Sequence, residues 1–357
     1  MVQVESEQLS SRRIEIEEDC EVINKLAHER GWTDGNPIIP PTEERVERMF
    51  QYIDLSPNEV VGVLQPSGAG ATVEKIAINA VMAGCLAEHM PIVLAAIEAL
   101  ADENFFLHQV QTTSHSVSPL LIVNGPIRQE LDITSGAGGT LRSWHSSAAI
   151  GRAVRLALKN IGGVSGSSDM HTFGWLVKYG YCMGENEDES PWQPYHVEQG
   201  FKPADNTVTV FGVEPPHHIE PRSYVSAQGL LSAIADSMAT TGCRNIHGDA
   251  FPLVVICTDH AKVLASEGFS KADVKRFLYE HVRVPLYRFD KGNIDCFSDE
   301  WKKFYTYGPH AMVPMVNSQD KFHIVVLGGP GPNSLFIPGF GSTLPIIKPI
   351  KWKGKER

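Results

Sequence analysis

The sequence predicts an α/β fold of two related βαβα halves, preceded by an N-terminal helical extension. Three observations carry this expectation. Short apolar, β-branched runs alternate with segments of helical period along the chain. Strand–helix units recur with matching ends, as an internal duplication would leave them. The strands themselves are near-continuously apolar, as in sheets covered on both faces.

Taken in order, residues 1–57 form the extension. A helix is expected from about Ile16 to Arg30, closed by Gly31, followed by the turn-rich Gly31-Trp32-Thr33-Asp34-Gly35-Asn36-Pro37. Thr42 is placed to cap a helix from Glu43 to about Tyr52, with acids in its first turn where the dipole favours them. The first α/β half spans 58–162. Its strand Val60 to Pro66 leads to a helix Val73 to Cys85, and its strand Pro119 to Pro126 leads to a helix His145 to Ile161. A bridging segment with an acidic loop occupies 163–206. The second half, 207–345, repeats the order: strand Thr209 to Pro215, helix Ser226 to Cys243, strand Pro252 to Asp259, helix Lys271 to His281. Met82-Ala83-Gly84-Cys85 is echoed by Met238 to Cys243, and the Pro119 strand by the Pro252 strand. The intervals between matched positions differ, so insertions are required, among them an extra helix Pro91 to Ala101 in the first half. A further strand, Phe322 to Leu327, runs into Gly328-Gly329-Pro330-Gly331-Pro332, and 346–357 form a basic tail of Lys348, Lys351, Lys353, Lys355 and Arg357.

Composition narrows the function classes. The chain has 357 residues, 42% of them hydrophobic, and a formal net charge of −11. That field disfavours nucleic acid and anionic membrane surfaces, so neither is expected as a partner. No apolar run reaches the roughly 18 residues of a membrane helix, and the polar N-terminus lacks a signal-peptide core. Cytoplasm is the expected compartment. The six cysteines should then be reduced thiols, and none forms a Cys-x-x-Cys pair. A small-molecule substrate and a symmetric homodimer complete the expected set of partners.

Ligands of α/β proteins gather at the carboxyl ends of strands. A pocket between the halves would draw on Gln65, Ser67, Asn124 and Gly125 from one side, and on Glu214, His217, His218, Asp259 and His260 from the other. Ser67-Gly68-Ala69-Gly70-Ala71-Thr72 is expected between strand and helix, where free backbone N–H groups hold a carboxylate or phosphate. A bare flexible turn is the plainer alternative, since the P-loop ending and the dinucleotide fingerprint are both missing. Between the halves, Glu185-Asn186-Glu187-Asp188-Glu189 stands among aromatics that include Trp192. Acids so close must be solvated, paired with cations or bound to metal. Histidine is plentiful at 14. No pair has the helical spacing of a His-Glu-x-x-His site, yet the set admits a His/carboxylate site for zinc or iron, with His217 and His218 the first candidates. There is no Gly-x-Ser-x-Gly elbow. Cys85 and Cys243 follow glycine at helix C-termini, where the dipole raises a thiol pKa.

Several long segments carry a resemblance. Gly31-Trp-Thr-Asp-Gly-Asn-Pro-Ile-Ile-Pro-Pro-Thr42, Asn79-Ala-Val-Met-Ala-Gly-Cys85, Pro119-Leu-Leu-Ile-Val-Asn-Gly-Pro126, Glu185-Asn-Glu-x-x-Ser-Pro-Trp192 and Gly268-Phe-Ser-Lys-Ala-Asp273 together resemble the UGSC-like family of bacterial proteins. The likeness runs from about Gly31 to Leu286, with Gly328 to Gly339 similar to the family's glycine-rich end. Relatives are sometimes labelled thioredoxin-like or thiol-disulfide oxidoreductases after a Cys-Gly-Ser-Cys motif, which this chain lacks. The resemblance marks Trp32, Asp34, Asn79, Cys85, Asn124, Glu185, Asn186, Glu187 and Trp192 as signature positions.

The expectation is therefore a small-molecule hydrolase or lyase acting on a small polar organic substrate between the halves. Glu185 or Glu187 would serve as general acid/base, and Ser67, Gly68, Gly70, Asn124, Gly125 and Trp192 would bind substrate. Two alternatives stand beside it: a thiol-dependent oxidoreductase using Cys243 or Cys85, and a non-catalytic ligand-binding protein or complex subunit.

Overall fold

A computed structural model describes residues 9–138, 145–164, 172, 180–221, 226–247, 250–295 and 297–353. Trp175, Tyr179, Cys296, Lys355 and Arg357 lie outside them. The first helix is Cys20–Glu29, four residues shorter at its start than its apolar pattern suggested, because the Asp19 carboxylate takes the Glu21 and Val22 N–H groups and caps it there. Asp34 then receives two hydrogen bonds from Arg152, at 2.9 and 2.8 Å, which tie the following turn to the helix His145–Asn160.

The strand Val60–Leu64 (β1) does not feed a helix directly. It turns back into Ala69–Thr72 (β2) as an antiparallel hairpin, and only then does Thr72 cap the helix Val73–Ala83. The helix stops where Gly84 adopts φ 89°, open to glycine without strain. The helix Met90–Leu100 is buried at every position but Glu98. Further along the chain come strands Ser118–Asn124 (β3), Cys182–Gly184 (β4), Thr207–Val213 (β5), His217–Ile219 (β6), Leu253–Ile256 (β7), Arg283–Pro285 (β8), Met312–Pro314 (β9), His323–Val326 (β10), Ser334–Ile337 (β11) and Ile346–Pro349 (β12).

Two four-stranded sheets organise the molecule. One runs β12-β5-β3-β4, the other β6-β11-β7-β10. Both share one pattern of directions: a parallel pair (β3 with β4, β7 with β10), then two antiparallel steps outward. The outermost strands are exchanged. β6 follows β5 in the chain but pairs with β11, and β12 follows β11 but pairs with β5. Each sheet is thus closed by a strand leaving the other.

This changes the expected division of the chain. The Pro119 and Pro252 strands do occupy equivalent places, as β3 and β7. The strand Val60 to Pro66 and its supposed counterpart Thr209 to Pro215 do not, since β1 lies in a separate hairpin while β5 is central to the first sheet beside β3. A boundary at 207 therefore cuts through that sheet. The segment beginning at 346 is not merely a tail: β12 is a strand, and Lys348 lies 3.7 Å from Glu98 and 3.4 Å from Asp102.

The sheets stack face to face with helices outside, giving four layers. Period-two alternation sorts each strand. Leu120, Ile122, Met183, Phe211 and Val213 meet Leu253, Val255, Val325 and Ile337 between the sheets. Their neighbours Leu121, Val123, Val208 and Val210 face the helices Val73–Ala83, Met90–Leu100 and His145–Asn160. Val254, Ile256, Ile324 and Val326 face Ala227–Met238, Thr258–Ser266 and Lys271–His281 in the same way. Burial on both sides is why these strands read as unbroken apolar runs. Among the described residues, no helix is long and apolar enough to cross a membrane.

Candidate functional site

The inward-facing row of the first sheet turns polar at its last step. Continuing the register of β4, β3 and β5 sets Glu185, Asn124 and Thr207 side by side at the carboxyl ends of the parallel pair. All three are fully buried. The Asn124 amide donates to Glu185 Oε2 at 2.7 Å and to Glu187 Oε1 at 2.9 Å, and the Gly125 N–H reaches Glu187 Oε1 at 2.8 Å. Gly125 has φ 90°, and a Cβ there would lie 2.3 Å from the Asp205 carbonyl oxygen, so only glycine fits. The acidic loop and the Pro119 strand end, far apart in sequence, form one cluster.

The two glutamates differ in how they are held. Glu185 is 0% exposed and both its oxygens are engaged. Oε2 also accepts the Tyr195 N–H at 2.6 Å, while Oε1 faces Lys271 Nζ at 3.3 Å and the Val326 N–H at 3.4 Å. Lys271, itself buried, completes its contacts with Glu198 at 3.0 Å and the Gln193 carbonyl at 2.8 Å. Because Lys271 and Val326 come from the second sheet's side, Glu185 is a strut between the two sheets. Asn186 reinforces it, donating from its backbone to Val326 and from its side chain to Gly328.

Glu187 is different. Its side chain is 12% exposed, and its described contacts all fall on Oε1, including the Arg128 guanidinium at 3.1 Å. Among the described residues nothing bonds Oε2. Arg128, buried, also lies 3.5 Å from Asp188. Nearby, the Asn124 Oδ1 and Thr207 Oγ1 atoms are buried with no hydrogen-bond partner among the described residues. Such atoms are the ones a ligand or ordered water satisfies.

A second polar cluster occupies the matching place in the other sheet, just past β7. Cys257 occupies the N-cap position of the helix Thr258–Ser266 without a side-chain cap, and its thiol donates to the Gly331 carbonyl at 3.0 Å. Ser334 Oγ accepts the Cys257 N–H at 3.3 Å and lies 2.7 Å from His260 Nδ1. Asp259 holds the Gly331 N–H at 2.9 Å. Burial raises the Cys257 thiol pKa, countered by hydrogen bonds from His260 N–H, the Ser334 hydroxyl and Asn333 N–H. Burial lowers His260 to about 4, so its ring is neutral at pH 7. The sequence had placed Asp259 and His260 at a strand end. It offered no signal for Cys257 or for Ser334, which arrives from another strand.

The remaining expected residues lie elsewhere. Ser67, Gly68 and Gly70 belong to the β1–β2 hairpin. There the Ser67 hydroxyl donates to Ile161 O at 2.7 Å, and the Ser67, Gly68 and Ala69 N–H groups go to Gly162 O, Leu64 O and Ser67 Oγ. Those donors are consumed internally, which corrects the anion-cradle expectation. Trp192 packs half-buried on the second core and donates to Phe269 O at 2.9 Å. Cys243 is buried, its thiol pushed up to about 12 by burial, and burial raises Cys85 further still. Cys243 packs in the second apolar core with its thiol on Asn245 Oδ1 at 3.6 Å, outside both polar clusters, which corrects it as a catalytic candidate. His217 and His218 are exposed and, as successive residues of β6, point to opposite faces, so they do not make a ligand pair. Among the described residues no three His, Cys, Asp or Glu side chains converge as a metal site.

Neither a protein-family model nor a curated protein matches this chain.

Proposed function

We propose that the protein is a small-molecule hydrolase or lyase in which Glu187 is the general base, working at the junction of the two sheets. The observation that carries this reading is the asymmetry of the Glu187 carboxylate. One oxygen is anchored by Asn124, Gly125 and Arg128, and the other is left to take a proton from substrate or from an attacking water. Held geometry of this kind is what general-base catalysis requires. Glu185, saturated and inaccessible, positions Asn124 rather than reacting. Arg128, besides orienting the base, offers positive charge to a polar or anionic substrate. The resemblance to the UGSC-like family marks Asn124, Glu185, Asn186 and Glu187, the residues gathered here. A cytoplasmic setting and a homodimer belong to the same reading.

The test is turnover across a panel of small amides, esters, lactones and hydroxy acids, followed by mass spectrometry. General-base loss costs roughly 10²- to 10⁴-fold, so Glu187→Gln should lower kcat by at least about 100-fold, measured well below a melting temperature that itself drops because the buried Arg128 loses its carboxylate. Wild-type rates in Glu187→Gln, or no turnover of any panel member, would overturn the assignment.

A further inference from the structure

The cluster past β7 gathers a thiol, a hydroxyl and an imidazole at one strand end, and the general-base reading uses none of them. Ser334 Oγ takes the Cys257 backbone N–H at 3.3 Å and lies 2.7 Å from His260 Nδ1. Cys257 sits at the start of a nine-residue helix, whose dipole favours negative charge there. What blocks it is Gly331, held over the site from two sides by the Asp259 carboxylate and by the Cys257 thiol itself.

We propose that Cys257 is a second, covalent nucleophile for the acyl groups of small oxygen esters, with Ser334 and His260 as its proton relay and Gly331 as its cover. In the first step the thiol proton passes to Ser334 Oγ as the Ser334 proton passes to His260 Nδ1. The sulfur attacks the acyl carbon, a C–S bond forms, and the bond to the leaving oxygen breaks. The relay runs backwards to protonate that oxygen. Water then attacks the thioester carbon, the C–S bond breaks, and the sulfur regains a proton as the carboxylic acid departs. The activation follows the general logic of a nucleophile bonded to a base.

The experiment uses p-nitrophenyl acetate on the full chain at pH 7.5, with peptide mass spectrometry to locate acetyl groups. Acetylation of Cys257 should exceed that of the buried Cys243 by tenfold or more and be reversed by hydroxylamine. Ser334→Ala and His260→Asn should each slow it by tenfold or more. Asp259→Ala, which releases Gly331, should speed it, and also speed iodoacetamide labelling of Cys257. If iodoacetamide reaches Cys257 in Asp259→Ala but acetate does not transfer, the thiol is not an acyl nucleophile. If neither reagent reaches it in that variant, the thiol is a packed core group and the proposal fails. Glu187→Gln should leave acetylation unchanged, which separates this result from the outcome for the carboxylate.

Discussion

The two strand-end clusters occupy equivalent positions in sheets of the same strand pattern, yet they solve burial in opposite ways. Past β3 and β4 the chain buries charge and neutralises it: Glu185 with Lys271, and Glu187 with Arg128. Past β7 and β10 it buries neutral groups, a thiol, a hydroxyl and an imidazole held uncharged. The first arrangement is rigid, because a charge deprived of its partner in a dry interior is very costly. The second depends less on any one contact, because no buried charge there has to be matched. Similar backbones therefore yield a strut with a carboxylate beside it in one sheet, and a neutral hydrogen-bonded cluster in the other.

The largest effect that would sharpen this contrast is expected at Lys271. Lys271→Met leaves Glu185 buried without its cation, and breaking one side of such a pair costs about 3–5 kcal/mol. Chemical denaturation should show this loss. A loss under about 1 kcal/mol would mean that water reaches Glu185 and that the first cluster is not a dry strut.

The next effect concerns acid. Burial lowers His323, on β10, to about 3 from an ordinary value of 6.5. Its folded-state pKa is depressed, so below pH 6.5 the unfolded chain binds a proton that the native chain refuses. Stability should therefore fall as pH drops through the window from 6.5 towards 3, by about 2 kcal/mol at pH 5 from this residue. His260 acts in the same direction over the window from 6.5 down to about 4. Denaturation midpoints compared at pH 7 and pH 5 would measure the slope, and His323→Gln should flatten it. An unchanged slope would mean that His323 is not the source of the acid sensitivity.

Smallest is the stability cost at the relay itself. Cys257→Ala removes one sulfur and one neutral hydrogen bond, worth about 1–2 kcal/mol. A cost approaching that at Lys271 would erase the distinction between the clusters.

Much of this arrangement was legible beforehand. The Pro119 and Pro252 strands, the helix Lys271–His281 and the acidic loop were readable because each is set by local periodicity, caps or charge. Asn124, Gly125, Glu185 and Glu187 could be named together because a strand end and a charged loop both attract attention. The hairpin at Ser67 was misread because four small residues of β2 carry almost no strand signal.

By itself the sequence determined the class of fold, since apolar runs buried on both faces and helices of matching period permit little but sheets covered by helices. It also determined which side chains could be charged. Only the tertiary structure decided which of them meet. The exchange of β6 and β12 depends on pairing between residues more than a hundred positions apart, which no local pattern encodes. The pairing of Glu185 with Lys271, and of Cys257 with Ser334, depends on the same long-range closure. Local propensity chooses elements. The burial of two sheets against each other chooses which polar groups must satisfy one another in the space between, and the chemistry follows from that choice.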